Sequence, residues 1–185
     1  MEETTTRNAT VNMWRPNLAH LPSYDVPAGY RLRTYEPGDE EAWVAIHLEA
    51  DRWNKVTVET FWKEFGRDLA SLAARQFYLC SDAGKPIGTA TGWFNDDYCG
   101  AVWGRIHWVA LLPEYHGRGL SKPLLAAACW RMVELGHDMV YLVTSTARIP
   151  AINLYRSFGF EPEIRSAEDE AAWDEVRPYF KTRDR

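Results

Sequence analysis

The sequence predicts a mixed fold in which helices pack on a β-sheet, α/β of the α+β kind, and three observations carry that expectation. Apolar residues recur at helical spacing around residues 39–50, 57–72 and 123–135. Two short strand-like runs, 77–80 and 87–94, are joined by Asp82-Ala83-Gly84-Lys85, a hairpin signal that pairs them antiparallel. A further apolar run begins at Gly104, and after the third helix residues 139–144 are continuous enough to be a buried parallel strand beside it. In 185 residues the simplest organisation is an N-terminal arm over 1–28 and one domain over 29–185 with a good core.

The elements follow in order. Residues 1–27 carry Pro16, Pro22 and Pro27 among Thr and Asn without a regular period, and read as a loose or surface-draped arm with Trp14, Leu18 and Leu21 available to anchor it. Residues 30–35 alternate as a first strand. Pro37-Gly38-Asp39 then supplies a turn and an N-cap, with Glu40 and Glu41 in the first turn of a helix whose apolar side is Trp43, Ile46, His47 and Ala50. Residues 51–55 break that pattern, and a second helix from about Thr57 has Val58, Phe61, Trp62, Phe65, Leu69 and Leu72 on one face. Beyond the hairpin, residues 95–98 lead into the strand from Gly104. Pro123 sits near the start of the next helix, where a missing N–H costs nothing, and Gly136 ends it. Thr144-Ser145-Thr146 caps the last core helix, a short strand falls near 160–164, and residues 167–180 form a C-terminal helix.

Composition narrows the function. A net charge of −5 with no basic run excludes the footprint of a nucleic-acid binder and favours a cationic or neutral substrate. The three cysteines, Cys80, Cys99 and Cys129, lack a C-x-x-C spacing, and none of the five histidines pairs at metal-ligand spacing, so neither a disulfide framework nor a metal is expected. No apolar run approaches the roughly 20 residues of a membrane span, and the opening MEETTTRNAT is polar rather than a signal sequence. A cytoplasmic protein without membrane or nucleic-acid partners is expected, as a monomer or homodimer.

The chemistry concentrates where the strand from Gly104 runs into His116-Gly117-Arg118-Gly119-Leu120-Ser121-Lys122 and opens a helix, since consecutive backbone N–H groups at a helix N-terminus form an anion site. The Walker loop fails, because Lys122 follows a serine and precedes a proline, and the dinucleotide fingerprint fails at Lys122-Pro123. What remains, His116-x-x-Gly119-x-Ser121, resembles the Arg/Gln-x-x-Gly-x-Gly/Ala pyrophosphate loop of the GNAT superfamily, the acetyl-CoA-dependent N-acetyltransferases. His116 and Ser121 depart from that pattern. A second motif follows at the family's usual distance: Ala151-Ile152-Asn153-Leu154-Tyr155-Arg156-Ser157-Phe158-Gly159-Phe160 is similar to A-I-x-L-Y-x-x-x-G-F. Arg148 stands where the family commonly has an Asn.

The resemblance implies a GNAT fold, a mixed and mostly antiparallel sheet of six to seven strands with about four flanking helices and a C-terminal helix. It implies acetyl-CoA as cofactor, held by Val109, Ala110 and Leu111 at the thioester and pantetheine arm, by residues 116–122 at the pyrophosphate and by Asn153. It places Asp51 and Trp53, between the first two helices, at the acceptor, and makes Tyr155 the acid for the leaving thiolate. Asp97, beside Asp96, is a further candidate for an acceptor ammonium or a solvated turn. Strand alternation puts Arg105, His107, Val109 and Leu111 on one face, so His107 is the base candidate, with a satisfied core histidine as its competing reading. An imidazole near pKa ~6.5 suits a base at neutral pH, against an amine near ~10.4. The implied reaction is direct attack of a small-molecule or peptide primary amine on acetyl-CoA; a non-catalytic acyl-CoA-binding or sensor module is the alternative.

Overall fold

The computed structural model describes residues 8–182; the first seven residues of the expected arm and the last three of the chain lie outside it. Seven strands form one sheet in the order β2-β3-β4-β5-β6-β1-β7. They are β1 Thr10–Arg15, β2 Tyr30–Thr34, β3 Gln76–Ser81, β4 Pro86–Tyr98, β5 Ala101–Leu111, β6 Val140–Ser145 and β7 Glu161–Pro162. Among the described residues, β5 and β6 run parallel and the other neighbouring pairs are antiparallel. The helices are α1 Asp39–Ala50, α2 Val58–Phe65, α3 Leu69–Arg75, α4 Ser121–Glu134, α5 Ile149–Ser157 and α6 Ala167–Val176.

The two faces of β4 and β5 are specialised by side-chain size. On one face lie Gly88, Gly92 and Gly104, and α4 packs so closely there that a Cβ on Gly104 would come within 2.4 Å of Met132 Cε, and one on Gly92 within 3.0 Å of the Ala128 carbonyl. These close approaches fix α4 across the sheet with its N-terminus at the C-terminal end of β5. The other face carries Trp93, Thr91, Arg105 and His107 under α1 and α2, where Trp43, Phe61 and Phe65 are almost wholly buried. Phe65 meets Trp93 and His107 with ring centroids 5.5 and 5.6 Å apart.

Four local expectations are corrected. Residues 10–15, read as loose arm, form β1 between β6 and β7; Val11, Met13 and Arg15 alternate inward in a strand short and polar enough to hide the period. The single helix expected over 57–72 is two, because Gly66 adopts φ 70° and ψ −166°, outside the helical region, and Asp68 caps a new start. Asp39 is not the N-cap of α1 but its first residue, buried and paired with Arg33 at 2.5 Å. Thr146 does not cap α5: it exchanges hydrogen bonds with Ala9, its N–H to the Ala9 carbonyl and its Oγ1 accepting the Ala9 N–H. Among the described residues, no helix is long and apolar enough to cross a membrane, and no cluster of three metal-ligating side chains occurs.

Candidate active site

Strands β5 and β6 pair only from Gly104↔Val140 to Ile106↔Leu142, so the sheet opens between them beyond Ile106. On its other edge β5 stays paired with β4, but with an irregularity: His107 faces Thr91 and Ala110 faces Thr89, leaving Trp108 and Val109 opposite one residue. Trp108 takes φ 49°, a left-handed conformation rare for a bulky side chain. This bulge overturns the expected face. Cross-strand partners share a face, so Arg105, His107 and Ala110 lie together, while Leu111, opposite Gly88, turns to the α4 side with Ile106.

The bulge presents His107 and Trp108 to one carboxylate. Glu64, on α2, accepts from His107 Nε2 at 2.8 Å and from Trp108 Nε1 at 3.1 Å through the same oxygen, Oε2. The hydrogen bond from His107 and the one from Trp108 outweigh partial burial and pull the Glu64 carboxyl down to about 2. His107 is 7% exposed; burial holds its pKa below the ordinary imidazole value, against the raising effect of Glu64. Beneath them His47 of α1 packs on Trp43 and Trp108 at 4.4 and 5.0 Å, with Nε2 buried and unpartnered. Burial pushes His47 down to about 3.

Sequence reading missed Glu64. The signal was a carboxylate beside the buried Phe61/Phe65 stripe of an amphipathic helix, a place where solvent-facing residues and site residues look alike.

The glycine loop has the features of an anion cradle. Gly117 and Gly119 both take φ 76°, and a Cβ on either would meet nothing within 4 Å, so the backbone is approachable there. Leu120 precedes α4 and provides no side-chain cap, leaving the first-turn N–H groups for a ligand. His116 points back along the strand, Nε2 3.0 Å from the Leu111 carbonyl, tying loop to strand. Arg118 lies over Tyr115 and bonds Tyr30 Oη and the Glu114 carbonyl, and Lys122 sits 5.2 Å from the Tyr24 ring. With backbone donors, a helix N-terminus and two cations in the loop, these residues fit a pyrophosphate.

Tyr155, on α5, is 7% exposed, and burial pushes its phenol up to about 12. Asn153, expected at the cofactor, instead spends its amide on the C-terminal segment, donating to the Tyr179 carbonyl at 3.0 Å and accepting the Lys181 N–H at 2.8 Å. Asp51 is likewise engaged: it pairs with Arg148 at 2.6 Å and accepts from Trp53 N–H and Asn54 Nδ2. Burial favours its neutral form, yet the Trp53 N–H, Arg148 and Asn54 together hold its carboxyl below the usual range. Arg148, in the place of the family's Asn, thereby bridges the α1–α2 link to the start of α5. Trp53 is 47% exposed beside Arg52. Asp97 is exposed at the β4–β5 tip, where its N–H closes a turn on Asn95 Oδ1. That tip lies past Asn95↔Trp103, at the opposite end of β5 from the loop, so Asp97 is not brought to His107. A hollow of about 360 Å³ lined by Trp14, Cys99, Trp103, Glu163, Ile164 and Arg165 opens at the same far end.

An open parallel seam above a glycine-rich helix start, with a buried histidine on β5 just beyond the last paired residue, suits a phosphorylated ligand laid along the strand end. Residues 37–160 match the Acetyltransferase (GNAT) family, and the chain belongs to that family. It is 33% identical over 167 residues to a mycothiol acetyltransferase of Thermobispora bispora, an alignment covering 84% of this chain and 55% of the relative. The chain spans about half the length of the curated relatives it matches. Its fold is shared with a GCN5-related N-acetyltransferase from Sphaerobacter thermophilus, TM-score 0.69 at 24% identity, over 84% of this chain and 49% of that one. It is also shared with a chain of the NatC complex bound to Gag peptide and CoA, TM-score 0.62 at 19% identity, over 74% and 87%.

Proposed function

We propose that this chain is an N-acetyltransferase that moves the acetyl group of acetyl-CoA to a primary amine by direct attack in a ternary complex. The observation that carries the reading is the uncapped α4 N-terminus behind two left-handed, sterically open glycines, set beside the open end of the β5–β6 seam. Residues 116–122 would hold the pyrophosphate. In an antiparallel ladder alternate residues turn their backbone groups to opposite edges. Leu112 donates its N–H to Ile87 on β4 at 2.8 Å, so the Leu111 N–H turns toward the open seam, available to the pantetheine arm, while its carbonyl meets His116. When bound, acetyl-CoA supplies a thioester whose acyl carbon is open to a neutral amine.

His107 takes the proton of the acceptor ammonium. Held neutral by burial, the imidazole is in the accepting form at neutral pH. Moving a proton from an amine near ~10.4 to a group below ~6.5 costs upward of roughly 5 kcal/mol, within reach of a barrier that allows turnover on the second timescale. Tyr155 donates a hydrogen bond to the departing sulfur.

The test is thiol release from acetyl-CoA across a panel of primary amines. It includes mycothiol-type acceptors, because the curated relatives carry that name, and short peptides. Turnover with at least one amine is expected, with an acidic limb in kcat/KM that His107→Gln removes while lowering the rate about 10²-fold or more. CoA binding without turnover on any amine would overturn the enzyme in favour of a binding module. A His107→Gln variant that keeps rate and limb would make His107 a core residue.

A further inference from the structure

We propose that Glu64 is the positioning residue for His107: its carboxylate fixes the imidazole with hydrogen on Nε2, leaves the Nδ1 lone pair to take the acceptor's proton, and pairs with the imidazolium that results. This rests on His107 being the base, as proposed above.

The argument is one of donors and acceptors. His107 Nε2 and Glu64 Oε2 are 2.8 Å apart. An ionised carboxylate only accepts, and Glu64, pulled down to about 2, is ionised throughout the neutral range. The hydrogen between the two therefore sits on Nε2. Because burial keeps the ring neutral, it carries a single hydrogen, and Nδ1 is left with its lone pair. As the acceptor's N–H bond breaks and Nδ1–H forms, Nε2–H stays in place, and the positive charge is created 2.8 Å from a carboxylate rather than alone in a buried site.

The carboxylate is itself held. Trp108 donates Nε1–H to the same Oε2 at 3.1 Å, so Glu64 keeps its aim whatever the protonation of His107. The indole packs edgewise against the adjoining rings of Trp43 and His47, 5.0 Å from each, and is swung there by the left-handed turn at Trp108. Phe65, the next residue on α2, packs edgewise on the imidazole at 5.6 Å and limits its rotation. The bulge thus has a purpose beyond shaping the strand: without it Trp108 would point to the α4 face, and Glu64 would lose its second donor. The charged and titratable groups facing His107 are Glu64 from α2, which raises its pKa, Arg105 from its own strand, which lowers it, and His47 from α1, which is neutral. Asp51 and Arg148 act on the His47 ring, the first raising and the second lowering its pKa.

The experiment reads His107 by nitrogen-15 NMR in the purified full chain, its signals assigned by their absence in His107→Gln. At pH 7 the wild type should show a protonated Nε2 and an unprotonated Nδ1. In Glu64→Gln the His107 pKa should fall by about 1 unit or more, because the carboxylate that favours the charged ring is gone. The acidic limb of kcat/KM should move down with it, and kcat should drop roughly tenfold or more at unchanged CoA affinity. Glu64→Asp, which keeps the charge, should recover part of both. A wild-type ring protonated on Nδ1, or an unchanged His107 pKa in a folded Glu64→Gln variant, overturns the proposal. With the signals assigned by His107→Gln, a wild-type ring protonated on Nδ1 overturns the proposal even where the Glu64 variants do not fold. If no amine is ever acetylated, the tautomer and its pKa still report on Glu64, so the failure of the enzyme reading and the failure of this one are told apart.

Discussion

Replacing Tyr155 by Phe separates two roles for the phenol. Burial pushes Tyr155 up to about 12, whereas a thiol titrates near ~8.5. Full proton transfer to a departing thiolate is then uphill by roughly 3.5 pKa units, about 5 kcal/mol. What the phenol supplies is a hydrogen bond to a charged acceptor, worth about 1.5–3 kcal/mol, or roughly 10- to 150-fold in rate. The ring is 7% exposed and meets Phe160 at 6.3 Å, so Phe fills the same space and leaves the fold and cofactor site intact. The assay is kcat and KM at saturating acetyl-CoA with the best amine of the panel, with CoA affinity by calorimetry. The expected result is a kcat lowered about 10- to 150-fold, near-constant affinities and an untouched acidic limb. A loss beyond about 10³-fold together with the disappearance of a basic limb would refute the reasoning, since the site would then lower the phenol's pKa to make it a full acid. An unchanged kcat would reduce Tyr155 to a packing aromatic.

Two further perturbations test the surroundings. His47 titrates at about 3 when folded and near ~6.5 when unfolded, so between those values the unfolded chain binds the extra proton and stability is lost as pH falls. His47→Leu should shrink the stability difference between pH 7 and pH 5 by up to about 2 kcal/mol in urea unfolding, and an identical difference in the variant would contradict the buried neutral ring. Asn153→Ala breaks the hydrogen bonds to Tyr179 and Lys181 and should cost about 1–2 kcal/mol of stability at constant CoA affinity; a tenfold loss of CoA affinity would return Asn153 to the cofactor.

The sequence carried the fold wherever local chemistry and tertiary packing agreed. The hairpin at Asp82-Ala83-Gly84-Lys85 closes with Gly84 in the left-handed region and Ser81 N–H bonded to the Lys85 carbonyl, and α4 ends where Gly136 turns. It failed where tertiary context chose the conformation. Thr10–Arg15 is a strand because β6 offers an open edge, a partner 125 to 135 residues away in the chain that no local period reveals. The site divides the same way. Two glycines, a histidine and a tyrosine were legible as types at spacings, but the face on which each residue falls depends on a bulge at Trp108, and nothing in the string Ile106-His107-Trp108-Val109 announces a residue at φ 49°. Glu64 was invisible for a related reason: its partners are 43 and 44 residues away. The pairing of Asp51 with Arg148 was hidden in the same way, the two being 97 residues apart.

The most direct measurement is a calorimetric titration of CoA into wild type, Gly119→Ala and Gly119→Glu. Gly119 sits at φ 76° with open space where a Cβ would go, so any side chain there carries the same backbone strain, about 1–2 kcal/mol, and projects into the volume where the pyrophosphate would approach. Ala reports that strain alone, while Glu adds bulk and a negative charge beside the N-terminus of α4. Wild type should bind CoA, Gly119→Ala should bind it more weakly, and a folded Gly119→Glu should lose it by about 10²-fold or more. Wild-type CoA affinity in a folded Gly119→Glu variant would show that the loop from His116 to Lys122 is not where the cofactor is held, and binding of ATP or NAD with none of CoA by the wild type would contradict acetyl-CoA as the cofactor.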